Sequence, residues 1–461
     1  MKYVFLGSFI VMTLLSVAAW MWRPGGRDDD RVEIVWVCDD NPVRREQIDL
    51  FNRLNPQYHL RLDPQNMGME KTIVQCLAGV GPDIFDCYSG FQLTAFVRSG
   101  IAYDCTEAFQ ARGIDIFKVW PCLLPLVRYE ERVYGHPGNG GGPALWFNKA
   151  IFDAAGEPYP KSDWTWREFL PIAKRLTKFD SRGRPIQFGL MMGTWDWIGV
   201  FLGQWNATIY TPEGTRCVLD SPEACAAAQF YQDLIHTHHV LPSPTEELAM
   251  ATAGGWGSGT ISLFGAGRGA MAVGGRWWLC MLRGKDYAHL RLGAVEIPAG
   301  PSRRLFGYGR ASLINAKSPN RDGALAFLEY LHGPDWNNLI NRQADALAPV
   351  MAYNYTDDFL HNPEHPEEDY NAVWRAALED AVPFEVSPYV NGQFVDRVFL
   401  KQGDFLRERI KTGAEAMRDA ARAINEAIVE QIRGDPELKD RYFQALAAGA
   451  RPAWDRPEDA P

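Results

Sequence analysis

The chain has 461 residues, which is more than one hydrophobic core usually supports, so two domains are expected. Its formal net charge of -10 argues against nucleic acid or an anionic membrane surface as a partner. The chain also has 16 Trp and 17 Tyr, more than a core needs, and both side chains suit binding surfaces.

The N-terminus carries Lys2 and then an apolar stretch over residues 3–22. As a signal peptide, this stretch offers the small residues Ser16 and Ala18 for cleavage. As an anchor, about 20 apolar residues suffice to span a bilayer. Residues 1–30 are therefore assigned to a signal peptide or membrane anchor plus linker. Both interpretations place the rest of the chain in the periplasm or another extracytoplasmic space, tethered to the inner membrane in the second case.

From residue 33 onwards, strands alternate with helices. The pattern predicts a strand at 34–38, a helix from Asn41 to about residue 54, a strand at 58–62, a helix at 69–78 and a strand at 84–87. This alternation predicts a mostly parallel sheet with helices on both faces.

Ligands of such sheets bind beyond the carboxyl ends of the strands, where loops and helix N-termini meet. The polar residues that follow the first and third strands are therefore the first candidates for a binding site: Asp39, Asp40, Tyr88 and Ser89.

Later segments have their own signatures. The glycine-rich residues 138–143 predict a loop or hinge, and residues 166–176 predict a helix. Residues 404–432 predict a long helix or helix pair, and residues 451–461 predict a disordered tail. Thr165 and Glu168 form the capping box of the first of these helices.

Eight cysteines in an exported chain could form several disulfides, and Cys217 and Cys225, which flank a turn-like segment, are the first candidates for a pair. There is no CxxC spacing of the kind found in zinc ribbons. The cluster His236, His238 and His239 lies near one helix end and indicates a solvated terminus rather than a metal site.

Five segments carry a further signal, at residues 78–85, 147–177, 264–277, 326–331 and 410–425. The second is the most specific, with Phe-Asn-Lys-Ala-Ile-Phe at 147–152 and Trp-Thr-Trp-Arg-Glu-Phe at 164–169. In this order, the five segments resemble the family of bacterial extracellular solute-binding proteins that serve sugar importers, the maltose-binding-protein-like substrate-binding components of ABC transporters.

The resemblance implies the α/β two-lobe periplasmic binding protein fold, each lobe a mostly parallel sheet flanked by helices, with a ligand cleft between the lobes. The expected boundaries are 31–142 with 305–348 for lobe 1, 143–304 with 349–432 for lobe 2, and 433–461 for a C-terminal tail.

Sugars present C–H faces that pack on aromatic rings, and hydroxyls that need hydrogen-bond partners once buried. Further ligand contacts are therefore expected at Asn139, Trp195, Asp196, Trp197, Trp277 and Tyr308. Trp277 stands at a position that resembles a stacking tryptophan of the family, whereas Trp36 and Trp146 lie in strand-like runs and are expected in the core. If Trp277 and Trp278 lie on a strand, at most one of them meets ligand.

There is no convincing Ser/His/Asp arrangement, G-x-S-x-G elbow or P-loop, so no enzyme activity, cofactor or metal is expected. The resulting hypothesis is a monomeric binding protein of an ABC-type importer, which takes up a mono- or oligosaccharide and delivers it to transmembrane permease subunits. A polyamine, phosphate-ester or iron-chelate carrier, a membrane-anchored sensor and a carbohydrate-active enzyme are the alternatives. Arg276 and Arg310 lie near the candidate loops, so an acidic sugar is also an alternative ligand.

Overall fold

The computed structural model describes residues 12–13, 30–250, 259–456 and 460–461. The stretch predicted to be a signal peptide or anchor lies almost wholly outside the described residues. Among the residues that are described, none of the helices combines the length and the apolar character needed to cross a membrane.

The strands follow the predicted order at the N-terminus and continue through the chain. They are β1 (Val32–Val37), β2 (Tyr58–Leu62), β3 (Ile84–Cys87), β4 (Arg128–Tyr129), β5 (Arg132–Val133), β6 (Gly135–Gly141), β7 (Ala144–Asn148), β8 (Lys178–Phe179), β9 (Pro185–Met191), β10 (Gly269–Gly274), β11 (Leu292–Val295), β12 (Leu305–Phe306), β13 (Tyr308–Ile314) and β14 (Ala381–Val382).

Helices surround these strands. They are α1 (Arg44–Leu54), α2 (Met69–Leu77), α3 (Gly90–Arg98), α4 (Thr106–Arg112), α5 (Lys149–Ala155), α6 (Trp166–Leu176), α7 (Pro222–His236), α8 (Pro244–Met250), α9 (Thr260–Gly265), α10 (Leu279–Leu282), α11 (Arg321–His332), α12 (Pro334–Gln343), α13 (Asp357–Leu360), α14 (Asn371–Glu379), α15 (Gly392–Arg407), α16 (Gly413–Gly434) and α17 (Pro436–Ala447).

Two five-stranded sheets organise the fold, in the orders β2-β1-β3-β13-β6 and β11-β7-β10-β9-β8. We call the parts built on them the first lobe and the second lobe. The two-lobe α/β fold is confirmed, and each sheet combines parallel pairs with antiparallel ones. In the first sheet β13 runs against both neighbours, and in the second β7 runs against β10 and β11. Both β7 and β13 follow a crossing between the lobes, so each joins its sheet from the opposite direction.

The glycine-rich segment 138–143, predicted to be a loop, instead forms the end of β6 and the passage to β7. All of β6 is buried and pairs with β13. A Cβ atom on Gly142 would lie 2.7 Å from the carbonyl carbon of Ala377, so α14 can approach the backbone only because no side chain is present. The glycines of this segment therefore allow other parts of the chain to pack closely against the backbone that connects β6 with β7.

The core and the local signals agree with the sequence in most places. Trp36 and Trp146 are fully buried, as predicted. The capping box of Thr165 and Glu168 is present, and the helical region predicted at 404–432 corresponds to the last turn of α15 and to α16, whereas most of α15 lies before it.

The C-terminal tail was predicted to be disordered, and this was wrong for its described part up to residue 456. The backbone N–H of Ala453 donates to the Tyr442 hydroxyl at 2.7 Å, and the Trp454 ring packs on Tyr442. The tail is therefore docked on α17.

The predicted disulfide between Cys217 and Cys225 was also wrong, because all eight cysteines are free. Cys217 is buried, and the Asn425 side chain bonds both its backbone N–H and its carbonyl oxygen, at 2.8 and 2.9 Å. Cys225 lies in the first turn of α7, with its Sγ near the Asp220 carbonyl oxygen.

Candidate functional site: a cleft between the lobes

A cleft of about 790 Å³ lies between the two lobes. This volume is within the range of small-molecule sites in proteins. Its first-lobe wall comes from residues 88–92, after β3, and from residues within the 3-10 turn Pro121–Leu126. The second-lobe wall comes from residues 193–196 and 198–200 and from the end of β10, and β12 contributes where the chain returns to the first lobe.

Tyr88 and Ser89 line the cleft at the carboxyl end of β3, as the sheet topology predicts. Ser89 caps α3 by accepting from the backbone N–H of Gln92, and Gln92 in turn accepts from the N–H of Tyr88 at 2.7 Å. The Tyr88 ring is 39% exposed, and its hydroxyl donates to Asp39 at 3.3 Å. The hydrogen bonds at the start of α3 therefore hold the backbone of Tyr88, so that its ring faces the cleft.

Trp277 and Tyr308 meet across the end of β10 and also line the cleft. A Cβ atom on Gly275 would overlap the Tyr308 hydroxyl and lie 2.7 Å from Nε1 of Trp277. The two side chains are hydrogen-bonded to each other, and the Tyr308 hydroxyl also faces the Gly142 carbonyl oxygen at 3.4 Å. The rings of Trp277 and Tyr308 can occupy these positions only because Gly275 has no side chain.

Trp277 and Trp278 lie on a 3-10 turn, Arg276–Trp278, and not on a strand. Both border the cleft, but Trp278 is only 3% exposed and packs on Phe264, with 5.9 Å between ring centroids. Trp277 is therefore the ring of the pair that is open to a ligand.

Trp195 and Asp196 line the second-lobe wall, and Trp195 is 43% exposed. Asp196 Oδ2 accepts from the Gly193 N–H at 2.6 Å. Burial within the cleft raises the pKa of Asp196 to about 7, although this hydrogen bond favours the charged form.

The structure does not bring Trp197 to the cleft. The segment turns directly into a π-helix, Ile198–Leu202, so residues two positions apart do not share a face. Trp197 is 1% exposed and stacks on Tyr231 in the second-lobe core.

Three other candidates lie away from the cleft lining. Asn139 is buried in β6, where its amide donates to the Asp345 carbonyl oxygen and accepts from the Arg310 N–H, both at 3.1 Å. Asp40 is exposed at the surface. Asp39 does not line the cleft, but it accepts the hydrogen bond of the Tyr88 hydroxyl.

A buried network of charged groups lies behind this wall, and the sequence analysis missed it. Arg44 pairs with Asp39 at 2.9 Å and with Asp345 at 3.1 Å, and Arg310 pairs with Asp86 at 3.3 Å. Burial opposes the charge on Asp39, but Arg44 and Arg310 outweigh it and lower the pKa of Asp39. The network fixes the carboxylate on which Tyr88 depends.

Sequence spacing gives one signal for this network. Arg44 and Gln47 lie one turn apart on the face of α1 that also carries the core residue Phe51. A polar pair on a buried face requires buried partners. Those partners, Asp345 above all, are some 300 positions away in the chain and cannot be identified from one sequence.

The sequence analysis also missed several residues of the cleft lining: Phe91, Gln92, Cys122, Phe306, Phe384 and Asp396. Asp396 lies on α15, whose sequence reads as an ordinary amphipathic helix. Burial raises the pKa of Asp396 to about 6, although the neighbouring Arg397 favours its charged form.

Within the described residues, no Lys, Arg or His lines the cleft. Arg276 is 1% exposed, and its guanidinium bonds the Asn371 side chain and the carbonyl oxygens of Asn341 and Ala346, each at 2.9 Å. Arg310 is held in the buried network. The alternative of an acidic sugar depended on these two arginines, and neither of them reaches the site.

Two of the three histidines near the end of α7 are hydrogen-bonded through their rings to nearby groups. His236 faces the Arg407 carbonyl oxygen at 3.0 Å, and His239 faces a Glu246 carboxylate oxygen at 2.8 Å. They lie outside the cleft lining.

The chain is similar in sequence to a known protein family and to individual binding proteins. The sequence profile of the family described as bacterial extracellular solute-binding protein matches residues 40–338. Two proteins named only as binding proteins, from Brucella abortus (strain 2308) and Brucella suis biovar 1 (strain 1330), are each 24% identical over 332 residues, which is 70% of this chain and 75% of theirs.

Solved structures share the fold at low sequence identity. An ABC substrate-binding protein of Listeria monocytogenes in complex with cycloalternan has a TM-score of 0.73 at 19% identity, over 86% of this chain and 99% of that one. A solute-binding protein of Thermotoga lettingae with α-D-tagatose has a TM-score of 0.70 at 22% identity, over 86% and 100%. The maltose/maltodextrin-binding domain of Bdellovibrio bacteriovorus with maltotriose has a TM-score of 0.67 at 18% identity, over 87% and 100%.

Proposed function

Because the chain belongs to the bacterial extracellular solute-binding protein family, we propose that it captures a mono- or oligosaccharide in the cleft between its lobes. In this proposal it acts outside the cytoplasm and delivers the sugar to the permease subunits of an ABC-type importer, without catalysis. The proposed lobes are residues 31–142 with 305–348, and residues 143–304 with 349–432.

The observation that carries the proposal is the set of aromatic rings that both lobes present to one cleft. Tyr88 comes from the first lobe, Trp195 and Trp277 from the second, and Tyr308 from the return of the chain. Aromatic faces pack on the C–H faces of sugars, and Ser89 and Asp196 offer polar groups for the hydroxyls. Residues from both lobes can thus enclose one ring of a sugar.

Proteins of the same fold support a carbohydrate over the other solute classes. By their names, they hold cycloalternan, tagatose and maltotriose. A phosphate ester would need cationic groups, and the described cleft lining has none.

The direct test is a thermal-shift screen of the purified protein against mono- and oligosaccharides, with polyamines, phosphate esters and ferric chelates as the other classes. A ligand that binds only the folded state stabilises it by about 2.7 kcal/mol at 100 times its Kd, so a true ligand gives a clear shift. We expect a carbohydrate to give the largest shift. A shift with one of the other classes alone would contradict the proposal.

Two further measurements separate transport from its alternatives. Loss of uptake of that sugar when the gene is deleted is expected for an importer component, whereas normal uptake would indicate a sensor. Product analysis after incubation with the sugar should recover it unchanged, and a new product would indicate an enzyme.

A further inference from the structure

The ionisable groups of the cleft lining are unbalanced. Asp196 and Asp396 contribute carboxyl groups, while the described lining has no Lys, Arg or His. Residues 251–258, which the structure does not describe, contain no charged residue in their sequence. The lining therefore supplies no cation to either acid, although Arg397, outside the lining, favours the charged form of Asp396.

Two buried acids elsewhere in the protein are paired with arginine, and a third, Asp83, accepts hydrogen bonds from Val35, Ser318 and Asn320. Asp86 pairs with Arg310 at 3.3 Å, and Glu368 receives two bonds from Arg283, at 2.7 and 2.8 Å. Both acids are almost completely buried. Such pairing is expected, because an unpaired buried charge is strongly unfavourable.

The cleft acids differ from these. Asp196 accepts one hydrogen bond, from the Gly193 N–H, and its other oxygen accepts none from the described residues. Asp396 makes neither a hydrogen bond nor an ion pair within the described part of the chain. Closing the cleft over a ligand would remove more water from both carboxylates. Either the ligand supplies a positive charge, or the acids bind it as neutral groups.

The surroundings of Asp196 favour a cation. Asp196 lines the cleft together with the rings of Trp195, Trp277 and Tyr308. The faces of Trp and Tyr rings attract cations as well as C–H groups, so a carboxylate beside them suits an ammonium group attached to an apolar sugar face. The net charge of -10 also favours the approach of a cation.

We propose that the ligand is a carbohydrate that carries a protonated amino group, and that Asp196 is the residue that selects it. This inference rests on the proposed carbohydrate-binding function. Asp196 pairs with the ammonium group, and Asp396 keeps the potential of the cleft negative. An N-acetylated or hydroxyl counterpart has the same ring but no charge, so it loses this pairing.

The test compares three versions of the same sugar ring by calorimetry at neutral pH. The probes are glucosamine, galactosamine and the β-1,4-linked glucosamine disaccharide, each with its N-acetyl and its hydroxyl counterpart. Since a hydrogen bond between two charged groups is stronger than one to a neutral group, we expect the amine to bind at least about tenfold more tightly than either counterpart.

Asp196→Asn tests the selecting residue. Asn keeps an acceptor for the Gly193 N–H but has no charge, so the ratio of amine to neutral affinity should fall to about one. The exposed surface variant Asp358→Asn is the matched control and should keep the wild-type ratio. A melting curve confirms that each variant is folded.

The outcomes separate this inference from the proposed function. Equal or tighter binding of the neutral counterparts, or binding of another carbohydrate in the screen with none of the amines bound, would overturn the inference and leave carbohydrate binding in place. Binding of spermidine with no carbohydrate bound would overturn the proposed function itself. An amine preference that persists in Asp196→Asn would remove Asp196 from the selecting role.

Discussion

At the scale of single residues, Trp277 and Trp278 are adjacent in sequence but differ in their surroundings. Trp277 faces the cleft and Tyr308, whereas Trp278 is almost fully buried. We expect Trp277→Ala to weaken carbohydrate binding by about 1–3 kcal/mol, because an aromatic contact face is lost, with little change in stability. Calorimetry and a melting curve measure the two effects.

Trp278→Ala is the matched control for this prediction. Removing a large aromatic side chain from a packed site costs about 3–5 kcal/mol, so this variant should lose stability first. If Trp277→Ala instead unfolds easily while its folded fraction binds normally, Trp277 belongs to the core and the site has been assigned wrongly.

Asp196 gives a prediction about pH in the ligand-free protein. Burial raises its pKa to about 7, against a usual value of 3.8, although the hydrogen bond from the Gly193 N–H favours the charged form. Its charge acts on two titratable groups, Tyr308 and Tyr231. The folded state thus binds the proton more tightly than the unfolded chain. The resulting stability is fully present below about pH 4 and is lost as the pH rises through about 7.

Asp196→Asn imitates the protonated carboxyl at every pH. Relative to the wild type, the melting temperature of this variant should therefore be unchanged at pH 4 and higher at pH 8. Asp358→Asn, at an exposed position, serves as the control. A variant that is no more stable than the wild type at pH 8 would show that Asp196 is not buried in the empty cleft.

The positions of the site residues could be predicted where a strand end determines them. Tyr88 and Ser89 follow from the sheet topology alone, because β3 is short and its end is clear. Trp197 lies in the core instead, because a helical turn begins directly after it and its ring stacks on Tyr231, which no local pattern indicates. Asp396 has no local signal at all, because only the tertiary fold brings α15 to the cleft.

At the scale of elements, the end of β10 shows how backbone and side chains share the site. A Cβ atom on Gly275 would overlap the Tyr308 hydroxyl, while one on Gly274 would lie 2.5 Å from Cζ2 of the buried Trp278. We expect Gly275→Ala to fold but bind carbohydrate more weakly, because the side chains that must move line the cleft. Calorimetry and melting curves compare the variants.

Gly274→Ala is the paired variant, and it should lose stability before it loses affinity, because the Trp278 ring is packed in the core. Wild-type affinity in Gly275→Ala would mean that the positions of Trp277 and Tyr308 do not matter for binding.

Elements with a clear local pattern could be predicted, and those decided by tertiary packing could not. The strands β2 and β3 have their predicted bounds, because β2 alternates along its length and β3 is a short, mostly apolar run. β6 was missed, since glycines in a row favour a loop when only local preference is considered. Its pairing with β13, some 170 positions later, makes it a strand.

At the scale of the whole molecule, the crossings between the lobes determine what motion is possible. Gly142 and Pro143 lie outside the ladders between β6 and β7, and Gly307 lies between β12 and β13. Arg98 on α3 also pairs with Asp435 before α17, at 2.6 Å, but both side chains are about one-third exposed. Such an exposed pair contributes little, so it does not lock the lobes together.

Ligand contacts made from both lobes exist only when the cleft is closed, so binding must shift the population towards closure. We therefore expect a saturating carbohydrate to reduce the radius of gyration in solution scattering and to change the tryptophan fluorescence, since Trp195 and Trp277 line the cleft. Trp277→Ala, at a ligand concentration that saturates only the wild type, should stay extended. Tight binding without compaction would mean that one lobe holds the whole site, and a permease could then not recognise the loaded protein by its closed shape.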